Sequence, residues 1–506
     1  MRSAATLVFL FFSGPAWSQA PRARESFDLS LMASVVSAAL AFISPRALDA
    51  VSVQQLALWG LAAPASLDAT LSTELRDGSV VLLQNGRVIF TRQAPADEAA
   101  GPWGLLVADV MNAAVLASAS VRLAGTQGVI TGFFDELLSH LDPYSRYIPP
   151  EAATVDRARR SGEAGAGIQV DRVNGVFIVT SVNASGPGAD AGIRVGDRIV
   201  AIDGQTVAGE TLDVVLDLIG GLEGTMLTIS VRGRNGPVRA LDVERAVTPP
   251  ETVFATRLNE LLVIRISGFS SDTDQRLQRE LERNLSGAAG RAIRGIVLDL
   301  RGNRGGLLRQ AVAATNLVMN GGLVATTAGR NPQAVHEWRA GTGDISEGRP
   351  MIVLVDGRSA SAAEIMAAAL ADQGRAVVVG STTLGKGLVQ TIATLPDGGE
   401  LFVSWSRVLA PDGWPIQGLG VLPQVCTSLG EDAATEQLKA LDRGIQPMAG
   451  PIARHRAARA PLPAPAVLAL RNACPASESH DTDLSAARFL VTHAKAYTTA
   501  RLRPSP

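Results

Sequence analysis

The sequence predicts an α/β protein of several domains, α+β when the whole chain is counted, and three observations predict it. From Val253 onward, short apolar strands alternate with helical segments, the rhythm of an α/β sheet. Residues 160–246 carry several short strands around one amphipathic helix. Residues 27–100 are rich in alanine and leucine and read as helices with one hairpin at Asn85-Gly86. A chain of 506 residues has room for about three domains at ~100–200 residues each. Its net charge of −2 gives no electrostatic case for nucleic acid or an anionic membrane surface.

In chain order, residues 1–18 have the pattern of a secretory signal: Arg2, the apolar run ATLVFLFF, then Ala16-Trp17-Ser18 as a small-x-small cleavage site. Cleavage after Ser18 is favoured over cleavage after Ala20, which would leave Pro21 at the new terminus. No other apolar run of about 18 residues lacks a charge or a breaker, so no integral membrane segment is expected in the mature chain. Residues 19–102 form the helical N-terminal region and 103–159 a helical segment closing on Leu141-Asp-Pro-Tyr-Ser-Arg-Tyr147. Then come the β-rich unit 160–246, the α/β core 247–425 and an extension 426–506. Within the extension, GPIARHRAARAPLPAPA reads as an extended or disordered linker, and Asp483–Pro506 as one basic helix. Cys426 and Cys474 are either a disulfide or two separate thiols, and two cysteines rule out a Cys-rich metal site. The five histidines show no ligand spacing, so no metal site and no cofactor are expected.

The chemistry concentrates between Met351 and Gln390. An apolar strand, Met351–Val355, is followed by a turn at Asp356-Gly357, the run Ser359-Ala-Ser361-Ala-Ala-Glu364, and an alanine-rich helix ended by Gly374. A second strand ends at Gly380, and STTLGKG presents Lys386. A hydroxyl at a helix start meets unpaired N–H groups and a dipole that favours negative charge. It acts as a nucleophile only if a base removes its proton. No histidine lies between His336 and His455, and the window Arg375–Leu395 holds no acid, so Lys386 is the nearer base. Desolvation without a carboxylate partner lowers a lysine pKa; moving it from ~10.4 to near 7 takes roughly 4–5 kcal/mol. Gln390, four residues on, falls on the same strand face and is placed to hold the amine.

Other readings compete for each piece. Ser361 with Glu364 is also an S-x-x-E capping box. Gly380-STTL-Gly385-Lys386 also fits G-x-x-x-x-G-K of a phosphate loop, but Gly387 stands where magnesium needs Ser or Thr, and the following segment alternates like a strand. Asp299-Leu-Arg-Gly-Asn-Arg-Gly305-Gly306 serves equally as a helix-entry loop that needs glycine for its backbone angles.

Taken together, SASAAEI, the T-L-G-K-G-x-V-Q segment and D-L-R-x-N-x-G-G resemble the C-terminal processing peptidases, or tail-specific proteases. The resemblance covers roughly Trp103–Pro423. It implies a crotonase-like βαβ catalytic core with an inserted PDZ domain, Ser361 as nucleophile, Lys386 as general base and Gln390 orienting the lysine. It further implies an oxyanion hole from Ala362 and one of Gly305 or Gly306. The β-rich unit resembles a PDZ domain through Ala191-Gly-Ile-Arg-Val-Gly-Asp197 and Ile202-Asp-Gly204. Its carboxylate loop then corresponds to Gly165-Ala166-Gly167-Ile168, with Ile168 and Val170 alternating to face an apolar tail residue. The implied partners are proteins or peptides with free C-terminal tails, with room for an adaptor protein and a homo-oligomer, and the implied place is exported, periplasmic. The same fold with a silent dyad would instead be an apolar-ligand, peptide-binding or scaffold protein.

Overall fold

The computed structural model describes residues 27–161, 164–183, 186–234 and 236–503. The signal-sequence reading of 1–18 lies outside these residues.

A six-stranded sheet carries the α/β part, in the order Val253–Leu258, Leu261–Ile266, Gly295–Asp299, Met351–Val355, Val377–Gly380, Val425–Cys426. The first pair is antiparallel and every later pair parallel. Parallel strands are covered on both faces and so read as unbroken apolar runs; every residue of Gly295–Asp299 and of Met351–Val355 is buried. Met351, Val353 and Val355 pack with the helices Leu308–Asn316 and Ala362–Asp372. Ile352 and Leu354, on the opposite face, meet Leu438, Leu441, Leu490 and Tyr497 of the C-terminal helices.

That second layer corrects the reading of the extension. GPIARHRAARAPLPAPA is not an extended linker: it begins inside the helix Ala449–Arg456 and enters the helix Ala464–Arg471. A few anchors outweigh its alanine/proline composition. His455 is buried edge-on against Trp414 with ring centroids 4.7 Å apart, and its Nε2 lies 3.0 Å from the Gly420 carbonyl oxygen. Cys426 and Cys474 form a disulfide, tying the end of this stretch to the sheet. The last segment is two helices, Asp481–Thr492 and Ala494–Ala500, rather than one, because His493 takes a non-helical conformation (φ −116°, ψ 85°) between them.

The N-terminal region holds the helices Leu29–Ile43, Val53–Gly60, Ala63–Leu67, Ala100–Ala117 and Ala119–Ser139 around one core. The expected hairpin is a three-stranded meander: Leu71–Arg76 precedes Ser79–Gln84 and Arg87–Gln93. Leu71–Arg76 is an exposed edge strand, and its polar residues hid it. Ala100–Ala117 is long and apolar enough to cross a membrane, yet half of it is buried within this fold.

A second, antiparallel sheet runs His336–Ala340, Gly322–Ala328, Glu400–Leu409, Leu388–Thr394. The short strand Arg146–Ile148 pairs with Glu400–Leu409, placing Phe402 opposite Arg146. The β-rich unit is a sheet ordered Val238–Glu244, Met226–Arg232, Arg198–Ile202, Val176–Val182, Ile168–Val173, packed against the helix Leu212–Ile219.

Asp483, 1% exposed, accepts from Thr427 Oγ1 (2.6 Å), the His480 N–H (3.0 Å) and Arg301 (3.1 Å). Arg301 in turn bonds Asp299 of the D-L-R motif. Arg301 keeps Asp299 if Asp483 is removed, but the Thr427 hydroxyl and the His480 N–H lose their charged acceptor, and a hydrogen bond to a charged group contributes about 1.5–3 kcal/mol. Asp483→Ala should therefore lower unfolding free energy by about 2–3 kcal/mol, read from the urea midpoint; an unchanged midpoint would show that the C-terminal layer does not brace the core.

Candidate active site

Ser361 sits between the strand Met351–Val355 and the helix Ala362–Asp372, at φ 57° and ψ −118°. A non-glycine residue in that region costs about 1–3 kcal/mol and persists only where its surroundings fix it. They do so here. Asp356 Oδ1 accepts the N–H groups of Gly302, Arg358 and Ser359. Buried Ser359 donates to the Leu300 carbonyl at 2.8 Å, and Ala360 N–H to Asn303 O at 2.9 Å. The D-L-R loop and the serine turn thus hold each other.

Gly305 faces this turn so closely that a Cβ there would lie 2.8 Å from Ser361 Cβ and 3.1 Å from the Ala362 nitrogen. Its N–H is taken by Asn303 Oδ1 at 2.8 Å. The N–H groups of Gly306 and Ala362 have no acceptor among the described residues.

The lysine turn is organised by Glu364, a carboxylate with 0% exposure. Oε1 accepts from Thr383 Oγ1 (2.5 Å) and Gly385 N–H (2.6 Å), and Oε2 from Lys386 N–H (2.8 Å) and Ser361 N–H (2.7 Å). Burial pushes its pKa up and these four donors pull it back. The expectation that no acid stands near Lys386 is corrected: the acid comes from the serine helix, outside the sequence window. Lys386 is half-buried, its Nζ 5.1 Å from the centre of the Tyr144 ring, with no hydrogen bond or ion pair among the described residues. Desolvation lowers its pKa, the Arg146 charge lowers it further, and Glu364 opposes both.

Gln390 bonds a different partner from the one its spacing suggested. Its Nε2 donates to the Tyr144 carbonyl at 2.5 Å, and its Oε1 accepts from Arg146 at 3.3 Å. No hydrogen bond joins it to Lys386, or Lys386 Nζ to Ser361 Oγ, among the described residues. The holder is the strap Leu141–Tyr147, which the sequence showed only as a helix end. Asp142 folds it by accepting from the Tyr144 and Ser145 N–H groups, the Ser145 hydroxyl and Ser404 Oγ. Tyr147 anchors it, buried against Phe134 and bonded to Asp397. His455, the first histidine downstream, is buried with its pKa pushed down to about 4 by desolvation, and among the described residues its ring bonds the Gly420 carbonyl alone.

In the β-rich unit, Ala164–Gln169 line a groove of about 340 Å³ together with Leu216, Ile219 and Thr248–Glu251. The N–H groups of Ala166 and Gly167 have no acceptor among the described residues. Val170 does not line the groove: it is 5% exposed and belongs to the core of the unit. An irregular register between Gln169 and Val170 breaks the alternation that placed it beside Ile168. Leu216 and Ile219 of the helix supply the apolar wall instead.

The family model described as peptidase family S41 matches residues 260–427, and a PDZ domain model matches 178–233. The chain is 35% identical over 325 residues to a carboxy-terminal-processing protease of Bartonella bacilliformis, covering 64% of this chain and 74% of that protease. The chain belongs to this family. It is a serine-type peptidase with a PDZ domain. Identity is 32% to the carboxy-terminal processing protease CtpA of Bacillus subtilis, over 62% of this chain and 66% of that one. It is 33% to a probable CtpA-like serine protease of Staphylococcus aureus, over 59% of each. Among solved structures, a photosystem II D1 C-terminal processing protease aligns with a TM-score of 0.37 and 26% identity, over 64% of this chain and 92% of that one.

Glu364 was legible only as a capping residue, although it reaches both the serine and the lysine turn of the protease. Glu364→Gln turns an oxygen that accepts two N–H groups into a donor, and a buried donor left unpaired costs about 1–3 kcal/mol. The substitution should lower stability by about 2–4 kcal/mol and reduce kcat. An unchanged melting midpoint with full kcat would show that the clamp holds neither turn.

Proposed function

We propose that the chain is an exported serine endopeptidase that captures the free C-terminal tail of a protein substrate in its PDZ groove and cleaves upstream with Ser361 and Lys386. The observation that carries the reading is one buried oxygen, Glu364 Oε2, shared by the N–H groups of Ser361 and Lys386. It keeps the two backbone nitrogens within reach of a single carboxylate. Lys386, neutral when ready, takes the Ser361 proton, and the alkoxide attacks the scissile carbonyl. Ala362 and Gly306 N–H receive the oxyanion, Gly306 in preference to Gly305 because the latter already donates to Asn303. Each such donor is worth ~3–4 kcal/mol. The Lys386 ammonium returns its proton to the leaving amine, and water then releases the acyl group. Gln390, held by Tyr144 and Arg146, has a second lone pair on Oε1 for the amine. Export to the periplasm is supported by residues 1–18 and by a disulfide that suits an oxidising compartment.

Ser361→Ala should abolish proteolysis. Ser359→Ala should keep the chemistry and lose stability, since that hydroxyl is buried in structural bonds. Lys386→Arg keeps charge but cannot deprotonate, so it should be as inactive as Lys386→Ala. Because the lysine acts as the free amine and its pKa is lowered, kcat/KM should rise with pH through a value below ~10.4. An active Lys386→Arg enzyme would remove Lys386 as base.

For the groove, matched peptides ending in a free acid or an amide should differ by at least ~10-fold in cleavage, or roughly 1.4 kcal/mol. Gly167→Asp should erase the difference: it puts bulk at φ 67°, where a Cβ already meets Thr248 Oγ1 at 3.1 Å, and adds a like charge. Equal rates for acid and amide on the unmodified enzyme would make the PDZ unit a spacer.

A further inference from the structure

The strap Leu141–Tyr147 places a second cation beside the lysine. Arg146 pairs with Phe402 across the sheet, and its guanidinium lies 4.0 Å above the centre of that ring. Ser404, two residues along the same strand and so on the same face, pairs with Gln390. The guanidinium therefore crosses the sheet face over an aromatic ring and ends on Gln390 Oε1. Tyr144 of the same strap takes the other end of that carboxamide and sets its ring against Lys386 Nζ.

We propose that Arg146 is a positioning residue for the reaction: it fixes the Gln390 carboxamide and places a second positive charge beside the Lys386 amine. The proposal rests on the Ser361–Lys386 reading above. Arginine suits the task because it stays protonated throughout the working range, and its flat fork stacks on a ring while donating at the edge. Three groups face the lysine from the elements around it. Arg146 and the Tyr144 ring come from the strap, and Glu364 from the serine helix, itself acted on by Arg471 beyond it. Four donated hydrogen bonds already engage Glu364, and its pull on the amine is the smallest of the three causes that act there.

The chain has three lysines, Lys386, Lys439 and Lys495, so ε-carbon-labelled lysine gives three resonances, and Lys386→Arg assigns one of them. In Arg146→Met the Lys386 signal should titrate ~0.5–1 unit higher, and kcat/KM below that pH should fall ~3–10-fold, recovering at high pH. Arg146→Lys, which keeps the charge, should restore both. In the unmodified enzyme, raising ionic strength from about 0.05 to 0.5 M should move the same titration upward by screening the like charge. A Lys386 titration unmoved by Arg146→Met and by salt, or a rate loss equal at every pH, would overturn the proposal. The resonance reports on Arg146 whichever group is the base, so an active Lys386→Arg enzyme would sink the dyad without being mistaken for a failure of Arg146.

Discussion

A single buried carboxylate, Glu364, joins the serine turn to the lysine turn. Ser361 and Lys386 lie on different turns, one entering a helix and the other leaving a strand, and neither turn has a regular ladder to hold it. Glu364 accepts from both turns at once, three backbone N–H groups and one hydroxyl. Burying a carboxylate is expensive unless its lone pairs are filled, and here four donors fill them. The donors need the carboxylate for the same reason, since N–H groups at a helix start and in a glycine turn have no ladder partner. The clamp also explains how Ser361 is kept at a positive φ that an isolated serine would avoid.

The core around that clamp is completed by the part of the chain furthest from the recognised motifs. Strand Met351–Val355 ends at the serine turn, and its residues alternate between two layers: Met351, Val353 and Val355 towards the serine helix, Ile352 and Leu354 towards the C-terminal helices. A parallel sheet with one bare face would expose a row of branched side chains. The extension is therefore a structural layer of the protease, fastened by Asp483 to Arg301, by the Thr382 hydroxyl to the Cys474 carbonyl, and by Ser477 to Gly357. The last two bonds land on the lysine turn and the serine turn themselves.

The legibility of this arrangement in the sequence follows from how local each signal was. The strand–serine–helix run, the Asn85-Gly86 turn and the βαβ rhythm depend on neighbours within a dozen residues, and each appears where its pattern put it. Glu364 as an acid beside the lysine was not legible, because 22 residues separate it from Lys386 and only the fold closes that gap. Arg146 stands 244 residues from Gln390. Val170 was misplaced because alternation assumes a regular strand, and one irregular register step sends the side chain into the core. The extension was misread because alanine and proline composition describes average solvation, whereas His455, Arg456 and Cys474 act one residue at a time. Arg456 reaches buried Asp372 at 3.2 Å, beside the Trp414 indole N–H that also donates to it.

The two charges around Lys386 have unequal leverage, and the inequality runs against simple burial. Glu364 is the deeper charge, and in a dry interior a bare carboxylate would hold an amine protonated. Its four hydrogen bonds stabilise that charge without cancelling it, and its pull on the lysine is the smallest of the three causes that act there. Arg146 is the more exposed charge and is partly screened by water, but its guanidinium stays protonated and is held in place by Phe402 and Gln390. Neither is the first cause of the lysine's lowered pKa, which is desolvation against the Tyr144 ring and the surrounding glycine turns. The strap therefore bears on Lys386 twice, through the Tyr144 ring set against its amine and through the Arg146 charge that lowers its pKa.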